Sequence, residues 1–370
     1  MSRKLVPVSI AATLLGGTAL ADVPKVAVDI APLHSLVARV MEGVGSADLV
    51  IPSGASPHEY SLRPSEAAAL QNADLVFWMG EDLTPWMENA IETLAEGATV
   101  TSLLESDGTV LLDFREDALF EAHDHGDDHA DHDDHDHGDD HADHDDHDHG
   151  DDHADHDDHG DDHADHDDHD HGDDHADHDD HDHGDDHADH DDHDHHGHAH
   201  GEHDPHAWLS PENAGVWLNT IAAKLSAADP DNAGAYFANA AAAQAELEAL
   251  SAEVTETLAP VRGGSFIVFH DAYQYFEDAF EFPASGAISI GDASDPSPAR
   301  IAEIQDRIRG EGVDCVLTEP QFNPGLVKTV LDGTEANTGV IDPLGAELEP
   351  GANLYPQIIR NIAATLKDCL

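Results

Sequence analysis

The stretch KVAVDIAPLHSLVARVMEGVGSADLVIP (25–52) decides the fold class. Its two ends, KVAVDI (25–30) and ADLVIP (47–52), are short apolar runs of the kind found in strands. The segment between them, PLHSLVARVMEGV (32–44), has the pattern of a helix. A strand, a helix and a second strand in this order favour a βαβ unit, in which the two strands lie parallel in one sheet.

The same alternation continues along the chain. Helices are predicted over 63–73 and 84–95, and strands over 74–80 and 98–104. We therefore predict an N-terminal α/β lobe over residues 22–122, and we assign residues 204–228 to the same lobe.

One long helix and a second α/β series follow. Asp229 can cap a helix and Pro230 fits its first turn, so a linking helix is predicted over 229–260. Beyond it, the predicted strands are 265–270, 287–290, 314–320 and 338–345, and the predicted helices are 297–310, 325–334 and 354–369. Residues 261–370 are thus expected to form a C-terminal lobe. The predicted fold is α/β, with two parallel-sheet lobes joined by one long helix.

The N-terminus has the features of an export signal. Arg3 and Lys4 precede an apolar stretch up to Leu20, and ALA (19–21) fits a small-residue cleavage site near Ala21. The alternative is a membrane anchor, but the apolar stretch is short and interrupted by proline and glycine. We expect residues 1–21 to be removed and the protein to reside in the periplasm, with the outside medium as the alternative for an exported chain without an anchor.

The middle of the chain is a histidine- and aspartate-rich repeat. Six tandem copies of GDDHADHDDHDH, one of them shortened, begin at residue 126. The unit has no apolar face, so residues 123–203 are predicted to be a loop that is disordered without metal. Its histidine spacing would let the chain wrap imidazoles around cations at low affinity. The candidate ligands are His129, His132, His135, His137, His195, His198 and His200.

Charge and cysteine content narrow the function further. The chain carries 80 acidic and 14 basic residues, and such a surface repels nucleic acid and anionic lipid while it attracts cations. Cys315 and Cys369 are its two cysteines. In an exported protein they most simply form one disulfide, and two unpaired thiols are the alternative.

Three histidines outside the repeat are the candidates for a tight metal site. His58 follows a predicted strand, His270 ends another, and His206 precedes a helix. Ligand sites of α/β proteins collect at the carboxyl ends of parallel strands. Three neutral imidazoles suit Zn²⁺ and leave one tetrahedral position for water or a carboxylate, with Glu59 and Asp342 as candidates.

Other residues receive structural interpretations. His34, in the first turn of a helix, is expected to be structural, with a metal role as the lesser alternative. Glu319 is expected either to orient a ligand imidazole or to cap a loop. The aromatic residues Trp78, Trp86, Trp208 and Phe269 are expected in the core or in the cleft wall.

Several motifs together resemble the ZnuA-type zinc-binding proteins of bacterial ABC transporters, a group that also includes manganese binders. They are PLHSLV, SPHEYSLRPSEAAALQNADLVFWMGEDL, DPHAWLSPENA, FIVFHDAYQYFE, TEPQFNP and GVIDPLG. The resemblance spans nearly all of the chain after the signal. It implies two lobes holding one metal in the cleft between them, with His58, His206 and His270 as ligands.

The resemblance also implies the metal and the partners. Manganese relatives tend to have a carboxylate in place of the third imidazole, so His270 favours zinc. Some zinc relatives have a glutamate immediately before the first histidine. Here that position is Pro57 and Glu59 follows instead, so water, Asp342 and Glu59 remain alternatives for the fourth ligand. The expected partners are a zinc permease with its cytoplasmic ATPase and, further, periplasmic metallochaperones. The protein is expected to be monomeric.

Two other functions are compatible with these residues. One is a periplasmic zinc buffer or metallochaperone that works without a transporter. The other is a zinc hydrolase, because three histidines and a water also form a catalytic site. The chain has no HExxH motif, so we do not expect an enzyme.

Overall fold

The computed structural model describes residues 23–115, 203–289, 296–322 and 324–370. These belong to one compact unit. The predicted signal segment and the repeat, with all its candidate ligands, lie outside the described ranges. Among the described residues, no helix combines the length and the apolar character that a membrane crossing requires.

The N-terminal lobe is built on a parallel sheet with strand order β2-β1-β3-β4. Its strands are β1 (Val26–Val28), β2 (Ala47–Leu49), β3 (Leu75–Trp78) and β4 (Thr99–Ser102). The helices between them are α1 (Ala31–Val40), α2 (Pro64–Asn72) and α3 (Pro85–Leu94). Each helix has proline in its first turn, where a missing N–H leaves no hydrogen bond unmade.

Two helices follow the gap in the described chain. They are α4 (Pro211–Ala228) and α5 (Ala233–Leu258), and single 3-10 turns flank α5 at Pro230–Asn232 and Ala259–Val261. The linking helix predicted over 229–260 is thus present, and a 3-10 turn lies at each of its ends. One of its faces is buried along its whole length, from Tyr236 to Leu258, so α5 is part of the core as well as a connection.

The C-terminal lobe repeats the architecture with strand order β6-β5-β7-β8, again parallel. Its strands are β5 (Phe266–His270), β6 (Gly286–Ser289), β7 (Cys315–Thr318) and β8 (Asn337–Val340). Its helices are α6 (Gln274–Phe280), α7 (Pro298–Glu311), α8 (Pro324–Leu331) and α9 (Leu354–Cys369). Helix α6 was not predicted from the sequence.

The central strand β5 shows how this lobe is packed. Phe266 and Val268 belong to the main hydrophobic cluster, while Ile267 and Phe269 belong to a second cluster that includes Ile304 on α7. Successive side chains of a strand point to opposite faces, and a parallel sheet is covered on both. The alternation in β5 therefore places the sheet between two apolar layers.

A disulfide joins Cys315 at the start of β7 to Cys369 at the end of α9, as predicted. The two Cα atoms are 5.7 Å apart, and the bond closes a separation of 54 residues. Five apolar side chains that define the buried face of α9 are Leu354, Ile358, Ile359, Ile362 and Leu366. The disulfide and this face together attach α9 to the rest of the protein.

Candidate metal centre

Three imidazoles converge from three separate elements. His58 lies in the loop between β2 and α2, His206 precedes a short 3-10 turn at Ala207–Leu209, and His270 is the last residue of β5. The indole N–H of Trp86 donates to the carbonyl of Pro57 at 2.8 Å, which holds the loop next to His58. His58 thus lies in the loop that follows the carboxyl end of one parallel strand, and His270 is itself at the carboxyl end of another. Ligands of α/β folds bind at this edge of the sheet.

The geometry of the three rings suits one metal ion. One ring nitrogen from each histidine lies within 4.8 Å of the others. The ring centroids are 5.4 Å apart for His58 and His206, 5.2 Å for His206 and His270, and 6.2 Å for His58 and His270. Tetrahedral zinc with bonds of about 2.0–2.1 Å needs ligand nitrogens about 3.4 Å apart, so modest ring rotations complete the site.

Two carboxylates orient two of the rings. The Nδ1 atom of His206 lies 2.7 Å from Oδ1 of Asp204, and the Nδ1 atom of His270 lies 2.7 Å from Oε1 of Glu319. A carboxylate accepts an N–H, so the hydrogen sits on Nδ1 and the lone pair sits on Nε2. For His206, Nε2 is buried and has no hydrogen-bond partner among the described residues.

The carboxylates therefore prepare both rings to bind a cation through Nε2. Glu319 contacts the imidazole of His270, so its prediction as a residue that orients a ligand imidazole depends on whether His270 binds the metal. Asp204 was missed in the sequence, although the spacing in DPH (204–206) was a local signal. Its Oδ1 also accepts the backbone N–H of His206 at 2.9 Å, a contact that such a short turn allows.

The surroundings of the rings are mostly apolar. The rings line a cavity together with Trp208, Phe322, Pro343 and Leu344, and the polar side chains of Glu319 and Gln321 also line it. No lysine or arginine of the described ranges is among the lining residues. The indole N–H of Trp208 donates to the carbonyl of Pro343 at 2.9 Å, so this hydrogen bond joins the two lobes beside the histidines.

Neither candidate carboxylate for the fourth position joins the three rings. The carboxylate of Asp342 accepts hydrogen bonds from the backbone N–H groups of residues 344, 345 and 346, and from the side-chain amide of Gln321 at 3.0 Å. These contacts close a turn after β8. Glu59 is exposed. Among the described residues, the group of side chains that could share one ion thus consists of His58, His206 and His270, without Glu59 or Asp342.

His34 and the aromatic residues have structural places. The ring of His34 is buried on α1, and its Nε2 lies 3.0 Å from the carbonyl oxygen of Ala47, which ties α1 to β2. Burial lowers the pKa of this imidazole. Trp78 and Phe269 are buried in the core, Trp86 packs against it, and Trp208 forms part of the cavity wall.

The chain is similar to zinc-uptake proteins over almost its whole length. A family model described as zinc-uptake complex component A, periplasmic, matches residues 26–369. The high-affinity zinc uptake system protein ZnuA of Brucella abortus is 44% identical over 345 residues, which cover 93% of this chain and 91% of the relative. The ZnuA of Paracoccus denitrificans is 41% identical over 363 residues, which cover 97% and 96%.

Solved structures have the same fold. A crystal structure of ZnuA matches with a TM-score of 0.65 at 19% identity, covering 94% of this chain and 99% of that chain. A ZnuA deletion mutant with zinc bound matches with a TM-score of 0.63 at 19% identity, covering 94% and 98%. At these identities the matches bear on the two-lobed fold alone.

Proposed function

The chain belongs to the ZnuA family of periplasmic zinc-uptake components, and on that premise we propose that it captures Zn²⁺ with high affinity and delivers it to an ABC importer. The binding site consists of His58, His206 and His270. The importer consists of a membrane permease and its cytoplasmic ATPase, and the binding protein meets it as a monomer. Periplasmic metallochaperones are further partners.

The convergence of three imidazole rings in an apolar cleft supports this proposal most directly. Imidazole nitrogen is a ligand that zinc prefers, and a site made of neutral ligands in a cleft without carboxylate ligands disfavours Mg²⁺, Ca²⁺ and Mn²⁺. Water fills the fourth position. The contacts that occupy Asp342 and the exposure of Glu59 support this choice over the two carboxylates.

The repeat is assigned a supporting role. If the repeat has no fixed structure without metal, as its sequence predicts, binding an ion must order the chain, so each of its sites should be weaker than the three histidines of the cleft. A tract with many weak sites raises the local zinc concentration near the cleft. In this proposal the repeat collects zinc and the three histidines hold it for delivery.

A zinc buffer and a zinc hydrolase are the competing functions. A buffer would keep its benefit to the cell in the absence of the permease, whereas an importer component would lose it. A hydrolase would turn over ester or peptide substrates when loaded with zinc. Nothing in the chain beyond its three histidines favours hydrolysis, and membership of a family of binding proteins speaks against it.

Growth in zinc-poor medium tests the proposal. A strain that lacks this protein should recover when it expresses the wild-type chain and fail to recover with the His58→Ala, His206→Ala, His270→Ala triple variant. His34→Gln serves as the matched control, because His34 is a histidine outside the cleft, and it should restore growth. Deletion of the permease should abolish the benefit. Growth that persists without the permease would instead identify a buffer.

A further inference from the structure

The two chain segments that flank residues 116–202 lie side by side. Asp113 and His203 form an antiparallel bridge, and the backbone N–H of Asp204 donates to the carbonyl of Leu112 at 2.8 Å. The imidazole Nδ1 of His203 lies 3.2 Å from Oδ1 of Asp113. We call residues 112–115 and 203–204 the stem.

Helix α6 of the C-terminal lobe holds both halves of the stem. The backbone N–H of Leu112 donates to the hydroxyl of Tyr275 at 2.9 Å, and this hydroxyl donates to the carbonyl of Asp204 at 3.0 Å. Tyr275 is buried. One side chain of α6 thus contacts both segments of the stem. Helix α6 begins four residues after His270, so this contact joins the stem to the turn that follows His270.

Arg115 adds a charged contact between the same parts. Its guanidinium donates to both carboxylate oxygens of Asp271, with a distance of 2.9 Å for Nε to Oδ2, and its Nη1 donates to Glu277 at 2.8 Å. All three side chains are largely buried, with exposed fractions of 18% for the arginine and 7% and 6% for the two acids. Forked pairs of this kind are strong and directional.

The stem is connected to two of the three histidines. Asp204 orients His206 directly, and Asp271 immediately follows His270 in the chain. Without the cation of Arg115, two buried carboxylates would lie close together uncompensated, and the turn that carries Asp271 would have to move. Such a movement would change the position of His270 relative to His206.

We propose that Arg115 is a positioning residue for zinc binding, which fixes the separation of His206 and His270 by holding the turn after β5 against the stem. It is not a ligand. The proposal rests on the proposed function, because it presupposes that these histidines bind zinc. It assigns the C-terminal lobe and the stem a joint part in setting the geometry of the site.

Arg39 provides a matched control within the same chain. Its side chain is 16% exposed, and it forms ion pairs of 2.8 Å with Glu42 and 2.7 Å with Glu246. Arg39 lies on α1 and Glu246 on α5, and none of the three residues lines the histidine cavity. Removing Arg39 therefore breaks two ion pairs of a similarly buried arginine without reaching the ligands, although its acidic partners are exposed (62% and 61%) where those of Arg115 are buried.

The test compares Arg115→Met with Arg39→Met in the full chain. Zinc affinity is measured by chelator competition, and the ligand geometry is read from the absorption spectrum with one equivalent of Co²⁺. Four-coordinate Co²⁺ absorbs far more strongly than six-coordinate Co²⁺. A Co²⁺ ion held in the cleft by three histidines and one water should therefore dominate the absorption spectrum. Arg115→Met should weaken the tight site about tenfold, the lower end of the loss when groups that support ligands are removed, and should alter the spectrum. Arg39→Met should leave both within twofold of wild type.

Wild-type affinity and spectrum in Arg115→Met would overturn the proposal, as would an equal loss in Arg39→Met. If circular dichroism shows that Arg115→Met does not fold, Asp271→Asn decides, and a wild-type spectrum and affinity in that variant would overturn the proposal. The triple histidine variant separates this outcome from a failure of the proposed function. If the triple variant binds zinc as tightly as wild type, both proposals fall.

Discussion

At the scale of single residues, the two carboxylate–imidazole pairs determine how the site works. Asp204 and Glu319 each place a ring nitrogen towards the shared centre, and both are buried. A histidine that is free to rotate would lose conformational entropy when it binds a metal, and a histidine held by a carboxylate has already lost it. The tight binding we propose therefore depends on residues that need not touch the ion.

Replacing Asp204 tests this dependence. In Asp204→Asn the side chain keeps its size but becomes a weaker acceptor for the Nδ1–H of His206, so zinc affinity should fall about 10- to 100-fold. Competition titration of zinc measures the change. Asp342→Asn is the control, because Asp342 closes a turn outside the three rings, and its affinity should stay within about twofold of wild type. An unchanged affinity in Asp204→Asn would contradict the orienting role.

Asp29 gives a prediction for the dependence of stability on pH. It is fully buried at the end of β1, and burial raises its pKa from 3.8 to about 7, although the N–H groups of Met79 and Ile30 lower it. Between pH 3.8 and about pH 7, Asp29 keeps its proton in the folded chain but has released it in the unfolded chain. The stability contributed by Asp29 is thus present below about pH 4 and lost as the pH rises to 7.

The measurement is urea unfolding of the metal-free chain and of Asp29→Asn between pH 4 and pH 7. Asparagine does not titrate, so the free energy of unfolding of wild type minus that of the variant should fall by roughly 3 kcal/mol over this range. A difference that instead rises with pH would mean that the two N–H groups favour the charged carboxylate more than burial disfavours it.

At the scale of elements, the sequence predicted most helices and strands, and the exceptions have physical causes. The βαβ pattern was legible because helices repeat every 3.6 residues and strands carry short apolar runs. Helix α6 was missed because seven residues rich in aromatic side chains show no clear period. It stops at Glu281, whose φ of 49° ends the helix in a left-handed turn.

The disulfide allows a test at the same scale. Replacing both Cys315 and Cys369 with serine removes a bond between β7 and α9 that restricts the unfolded chain. The free energy of unfolding should fall by up to about 4 kcal/mol, the entropic value for a loop of this length. Urea unfolding of the oxidised wild type and of the double variant measures the difference, and reduced wild type serves as control. Equal stability of all three would show that the bond contributes nothing.

At the scale of the whole molecule, the three histidines could be selected from the sequence, but their supports could not. His58, His206 and His270 stand at ends of elements in motifs that resemble a known family. The partners Glu319 and His270 are 49 residues apart, and Arg115 and Asp271 are 156 apart. Contacts between residues so far apart in the sequence depend on how the two lobes pack. The alternation of strands and helices does not specify that packing.

The molecule thus combines a cleft whose ligands are already oriented with a repeat that carries most of its histidines. We propose a division of labour between them. It predicts that the 28 histidines between residues 123 and 200 matter less for tight binding than His58, His206 and His270. It also predicts that each part keeps its own binding behaviour when the other is removed.

Zinc stoichiometry by competition titration tests this claim most directly. It compares the full chain, a chain that lacks residues 123–200, and the His58→Ala, His206→Ala, His270→Ala variant. The full chain should bind one ion tightly and several weakly, the deletion should keep the tight ion alone, and the triple variant should keep only the weak ones. Loss of the tight ion on deletion of the repeat, or its survival in the triple variant, would contradict the account.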